Sequence, residues 1–155
     1  PALMADALSR GDFRTPLVVG DRLDTDIAGA NAAQLPSLMV LCGVNTAADA
    51  IWAAPQERPD YIGEDLRALT ADAGALRVAP HPGWRVDLEE GVVTVRSTGD
   101  DPGDALAVVR AIAAAVWAAD DDRRSSIIRA GDDDARQAVE RWSLVAAAGG
   151  EGALA

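Results

Sequence analysis

No lysine occurs among the 155 residues, and the chain holds one histidine, one cysteine, one tyrosine and one phenylalanine. Each scarcity excludes some chemistry. Without lysine the chain supplies no Schiff base, no phosphate-loop lysine and no lysine general acid. A single cysteine permits neither an internal disulfide nor a cysteine-rich zinc site, which is the usage of a reducing compartment, so cytoplasm is the expected location. Cys42 follows the apolar run 37–41 and is expected to be a small buried hydrophobe. His81 lies in Pro80-His81-Pro82-Gly83, a loop by its two prolines and glycine, and reads as an exposed connector rather than a base. No apolar run approaches the ~20 residues of a membrane span, and the first residues lack a basic flank followed by an apolar stretch.

Positive charge is also short, because 14 arginines face 25 acidic residues for a net charge of −11. The deficit is even along the chain. Residues 1–79 carry 6 Arg against 11 acids and the remainder 8 against 14, or −5 and −6. With no basic patch to override it, this field repels phosphate backbones and anionic lipid, so nucleic acid and membrane are not expected partners. Alanine is abundant, with 33 copies. The remaining larger apolar residues suffice for one domain of ordinary size or one and a half.

Two grammars follow one another. Up to about residue 75, helices over 2–9, 25–33, 46–54 and 64–71 alternate with short strands over 16–19, 37–41 and 60–62. Leu17-Val18-Val19 and Leu38-Met39-Val40-Leu41 are continuously apolar, as in a parallel sheet covered on both faces. The expected class is α/β, the C-terminal part of a parallel Rossmann-like sheet with right-handed crossovers. Residues 76–155 read as a small α+β region. Segments 84–88 and 92–97 form a β-hairpin through Glu89-Glu90-Gly91. A helix over 105–119 is apolar round most of its circumference and needs a second partner, either the α/β region or another copy of the chain. A helix over 132–148 starts on three aspartates and ends at Gly149-Gly150. The runs 120–122 and 132–134 are read as caps and solvated charge, not metal ligands. Trp84, Trp117 and Trp142 are expected core anchors, one per element.

The segment Gly20-Asp21-Arg22-Leu23-Asp24-Thr25-Asp26-Ile27 carries the chemistry. A parallel strand ends there and delivers Asp21 to the carboxyl edge of the sheet, where ligands bind in open α/β folds. Gly20 allows a close turn, and Asp26 enters on the first helical turn, where it can bond loop amides or orient groups around Asp21. Carboxylate oxygen suits Mg²⁺, which keeps several waters and so needs few protein ligands. Spacing alone leaves two readings open: a cation site, or three aspartates that cap a helix and build a turn.

That segment, followed by Gly29-Ala30-Asn31-Ala32-Ala33, Leu41-Cys42-Gly43-Val44-Asn45-Thr46 and Pro59-Asp60-Tyr61-Ile62, resembles the last third of a haloacid-dehalogenase-superfamily phosphatase. The subgroup is that of p-nitrophenyl-phosphatase-like, phosphoglycolate and glycerol-phosphate phosphatases. The resemblance covers residues 1–70 and rests on the superfamily's fourth motif. It implies Mg²⁺ as cofactor, a small phosphate monoester as substrate and an aspartyl-phosphate intermediate. It also implies that Asp21 ligates the metal or one of its waters, that Asp26 and Gly20 support it from behind, and that Asp24, at a variable position, caps. The nucleophile, the general acid/base, the lysine and the substrate-selecting cap should precede Pro1, so the missing N-terminal part of the same protein is an implied partner. No catalytic residue is assigned within this chain.

Residues 76–155 fall outside that core. Their hairpin and long helix are weakly similar to part of a GCN5-related acetyltransferase. The acetyl-CoA signature is absent, since Arg129-Ala130-Gly131-Asp132 has neither the spacing nor the charge to receive a pyrophosphate. The expected role is structural or regulatory. A noncatalytic α/β interaction module and a CoA-dependent acyltransferase remain as alternatives.

Overall fold

The computed structural model describes residues 2–119 and 126–145. Two three-stranded sheets lie in sequence along the chain. In the first, β1 (Val18–Gly20), β2 (Ser37–Val40) and β3 (Tyr61–Gly63) are all parallel in that order. Every residue of the central strand β2 is buried, as its unbroken apolar run requires. Edge strand β1 is only half-buried and Leu17 is exposed, against the expectation of a strand covered on both faces.

Helices α1 (Ala2–Ser9), α2 (Ala28–Ala32), α3 (Ala47–Ile51) and α4 (Ala73–Leu76) accompany these strands. Expected helix boundaries move: the helix expected over 46–54 ends at Ile51 and that over 105–119 starts at Ala107, and three further shifts have a local reason. The segment Leu23–Ile27 is a wide π turn, with the Ile27 amide bonding the Arg22 carbonyl, before α2 begins. Residues 64–71 form a 3-10 turn over Leu66–Thr70, because Leu66 and Leu69 are exposed and no buried face favours a full helix. Helix α2 stops at Ala32 because Gln34 takes a left-handed φ of 56° while the Leu35 amide reaches back to the Ala30 carbonyl, a Schellman cap. Helix α3 starts on a capping box, in which the Thr46 hydroxyl and the Asp49 carboxylate satisfy each other's backbone amides.

The second sheet places β4 (Trp84–Glu89) antiparallel to β5 (Val92–Ser97), and β5 parallel to β6 (Ile127–Ala130). Gly91, at φ 70°, closes the two-residue hairpin loop. Strand β6 was not expected: its four residues, between two stretches of charge, carry too little pattern to be read as a strand. Helix α5 (Ala107–Ala118) links β5 to β6, and α6 (Asp133–Glu140) follows. Asp132 caps α6 through the Ala135 amide and also accepts the Ser97 amide, as the capping reading of that run requires. The run 120–122 lies outside the described residues, as does 146–148 of the expected last helix. Helix α6 ends eight residues short of the expected 148, in a second Schellman cap: Ser143 has φ 55° and the Leu144 amide bonds the Val139 carbonyl.

One apolar core runs through both sheets. Leu23, Ile27, Met39, Ile51 and Ile62 of the first region join Val93, Val95, Val108, Ile112 and Val139 of the second. On the other face of the first sheet, Leu38, Val40 and Leu76 form a smaller cluster. Helix α5 finds its two partners in β4 and α3. Each tryptophan expected as an anchor donates its indole N–H to a carbonyl: Trp84 to Pro102, Trp142 to Ala105, and Trp117 across the regions to Ile51. Arg58 adds a second tie by donating to the Trp117 carbonyl and stacking on its ring at 5.5 Å. Among the described residues no helix is long and apolar enough to cross a membrane.

Candidate functional site

Asp21 follows the last residue of β1 at the carboxyl edge of the first sheet, and two neighbouring segments converge on it. Its Oδ2 accepts the Val44 amide at 2.8 Å, and its carbonyl accepts the Asn45 amide at 3.1 Å. Its Oδ1 takes no hydrogen bond from any described residue, so half of the carboxylate is free to act as a ligand. Asn45 completes the join, with its side-chain oxygen accepting the Leu23 amide at 2.9 Å. The turn after β2 and the turn after β1 are thereby tied together around one half-buried carboxylate.

Asp26 takes the position its spacing suggested. The wide turn at Leu23–Ile27 swings its carboxylate back over the loop, where Oδ2 accepts the amides of Asp21 and Arg22, both at 3.2 Å. A regular α-turn would space these groups differently, and π turns recur where a side chain must be re-aimed. Asp26 therefore holds the backbone that carries Asp21.

Asp24 does not cap. Its two oxygens receive the Arg22 Nε and guanidinium NH2 at 3.1 and 2.9 Å in an exposed fork. That hydrogen bond, more than any other influence, holds the Asp24 carboxyl below its ordinary range and raises Arg22.

Two glycines make the approach possible. A Cβ on Gly20 would lie 2.3 Å from the Asp26 side chain, and one on Gly43 would lie 1.8 Å from Asp21 Oδ2. Gly20 was singled out from the sequence. The sequence gives no such hint for Gly43, Val44 and Asn45, because nothing in their spelling tells which amide faces a carboxylate 23 residues earlier. Cys42, expected to be buried, is exposed in this same turn, because β2 ends at Val40 and the chain leaves the core two residues sooner than its apolar run suggested. His81 is a connector as expected, though half-buried, with Nδ1 accepting the Gly83 amide.

The donor set tests what the site can hold. Among the described residues no three His, Cys, Asp or Glu side chains gather as a metal group. Asp21 and Asp26 each keep one oxygen that takes no hydrogen bond from a described residue, and Asp21 is the one at the strand end, which fits a hard cation that keeps most of its water and draws its other ligands from elsewhere. It does not fit a metal enclosed by this chain.

Comparison with known proteins bears on both regions. Residues 1–69 match the HAD-hydrolase-like family model, and residues 81–144 match the GCN5-related N-acetyltransferase like domain. A D-glycerol 3-phosphate phosphatase of Mycobacterium tuberculosis is 58% identical over 153 residues, covering 94% of this chain and 43% of the relative. Crystal structures of the glycerol phosphate phosphatase of that organism, in complex with magnesium and with calcium, superpose with a TM-score of 0.86 at 60% and 59% identity. They cover 94% and 95% of this chain, and 43% and 44% of theirs. The chain thus spans less than half the length of the relatives it matches. Residues 1–69 are thus similar to haloacid-dehalogenase-like hydrolases, and residues 81–144 of the same chain are similar to the GCN5-related N-acetyltransferase like domain.

Proposed function

We propose that this chain is part of a Mg²⁺-dependent phosphatase for a small phosphate monoester of the glycerol 3-phosphate or phosphoglycolate class, and that Asp21 is its contribution to the metal. One observation carries the reading: the Asp21 carboxylate is held by one oxygen and free at the other, at the ligand-binding edge of a parallel sheet. The magnesium-bound structure of the similar glycerol phosphate phosphatase supports both the metal and the substrate class.

In this reading a bound Mg²⁺ neutralises charge on the nonbridging phosphate oxygens during transfer. The chain's own residues position the ligand. Val44 and Asn45 fix the Asp21 side chain and backbone, and Asp26 fixes the amides on either side of the Asp21–Arg22 peptide. A covalent aspartyl-phosphate route needs a nucleophile, a proton-transfer group and a cation on the phosphate. Residues 1–155 hold no lysine for that cation, and in this reading the nucleophile and the proton-transfer group fall to the rest of the protein. Residues 1–75 then complete the phosphatase core, and 76–155 form an appended structural region.

The acyltransferase alternative meets an electrostatic obstacle. The loop between β5 and α5, where a pyrophosphate would seek amides and positive charge, carries Asp100, Asp101 and Asp104. Asp104 already occupies the Leu106 amide there.

Asp21→Asn in the complete protein tests the assignment. It should lower Mg²⁺-dependent hydrolysis of glycerol 3-phosphate by more than about 100-fold with an unchanged melting midpoint, since losses of 10- to 100-fold are typical for groups one shell further out. Asp24→Asn should stay within about two-fold, because it breaks only an exposed ion pair. Equal losses overturn the role of Asp21. Residues 1–155 alone should hydrolyse no phosphate ester, and Mg²⁺-dependent turnover by them overturns the division of labour.

A further inference from the structure

Helix α5 carries one charged residue in its apolar surround. Arg110 is 3% exposed, and each of its three guanidinium nitrogens has a partner. NH1 and NH2 grip the two oxygens of Asp104 at 2.8 Å each, and Nε donates to the Ile62 carbonyl at 2.9 Å. Asp104 belongs to the second region and Ile62 to β3 of the first sheet. Packing alone does not call for this arrangement, because an apolar side chain of similar length fills such a site without the cost of desolvating a charge. The fork does something an apolar residue cannot: it fixes the position of one particular carbonyl.

That carbonyl sits at the edge that carries the candidate site. The next residue, Gly63, accepts the Leu41 amide at 3.1 Å. Leu41 opens the turn whose Val44 and Asn45 amides hold the Asp21 carboxylate and carbonyl. A path of hydrogen bonds and covalent backbone therefore runs from Asp104 and Arg110, through the end of β3 and the 41–45 turn, to Asp21. We propose that Arg110 is a positioning residue through which the appended region holds the carboxyl edge of the first sheet and thus the turn that presents Asp21. The activity side of this proposal rests on the phosphatase reading, whereas its structural side does not.

The test uses the complete protein with Arg110→Met and Arg110→Lys, read by hydrogen exchange over residues 41–46, by the melting midpoint and by the Mg²⁺ concentration for half-maximal activity. Arg110→Met should accelerate exchange in 41–46 at least about three-fold while residues 133–140 keep their rates, and should raise the Mg²⁺ requirement by a similar factor. Arg110→Lys, which keeps the charge but loses the fork, should fall between, and it is read in the same way if Arg110→Met does not fold. Unchanged exchange in 41–46, or uniform acceleration across both sheets, overturns the proposal and leaves Arg110 a stability residue. Local acceleration in a protein without Mg²⁺-dependent phosphatase activity supports the positioning role and rejects the functional reading instead.

Discussion

The two sheets use the same device, a parallel strand leading through a turn into a helix, and load it oppositely. After β1 the turn begins with a carboxylate that has one oxygen satisfied by the Val44 amide and one that takes no bond from a described residue. After β5 the turn is also acidic, but there Asp104 is consumed by Arg110 and by the first amides of α5. An open carboxylate at a sheet edge can take a cation. A closed one can only hold elements together. Acidic residues in the turn are common to both, so the difference lies in whether a buried arginine answers them.

The strongest way to break the comparison is to ask whether the regions are separate units at all. Ile112 is fully buried in the shared core, and Ile112→Ala should cost about 2–5 kcal/mol. Because the core is continuous, scanning calorimetry should show one cooperative transition whose midpoint falls as a whole, and residues 76–155 alone should be poorly protected or self-associated. Two transitions, with only one shifted, would establish independent regions.

A glycine from each region sharpens the contrast. Gly43→Ala forces a methyl into the Asp21 carboxylate, so it should cost about 1–3 kcal/mol and most of the Mg²⁺-dependent rate. Gly91→Ala, at φ 70° with open space around it, should cost about 1 kcal/mol through backbone strain and leave the rate alone. Equal effects on the rate would remove the distinction between an active edge and a structural one.

The pH dependence of stability probes the closed carboxylate. Burial pushes Asp104 up, but the Arg110 fork together with the Leu106 and Ala107 amides outweighs it and holds the carboxyl below the ordinary range. A carboxyl so depressed adds stability that is present above its unfolded value, about pH 4, and is lost as pH falls through the folded value. The stability gap between the native protein and Asp104→Asn should therefore be constant from pH 7 to 5 and narrow below about pH 4. Denaturant titrations across that range measure it.

The smallest effect concerns the helix ends. Ser143 holds a left-handed φ that glycine adopts without strain, so Ser143→Gly should stabilise by about 0.5–1 kcal/mol, with no change in rate. A loss of stability in urea titration would show that the cap is held by the serine side chain.

Those helix ends also show where sequence reading stops. Helices α2 and α6 close with Gln34 and Ser143 at the left-handed position, and neither residue is the glycine that signals a stop. The reading therefore ran α6 on to Gly149-Gly150, and β6 was too short to announce itself beside charged runs. The site was half legible. Asp21, Asp26 and Gly20 lie within seven residues, so their spacing shows that they meet, whereas the Gly43-Val44-Asn45 support arrives from a turn more than 20 residues later.

Composition and local pattern determined the α/β class of the first region, the carboxylate at the end of β1, the absence of lysine chemistry and the need of α5 for two packing partners. These follow from periodicity, backbone geometry and functional-group inventory, which act over a few residues or over the whole chain. Tertiary structure decided that Asp21 is held through one oxygen by the Val44 amide, that Asp24 is spent on Arg22, and that the one charge on an apolar helix bonds to both regions. Those outcomes depend on which groups come within 3 Å across 23 to 66 residues of chain, and that proximity exists only once the shared core has closed.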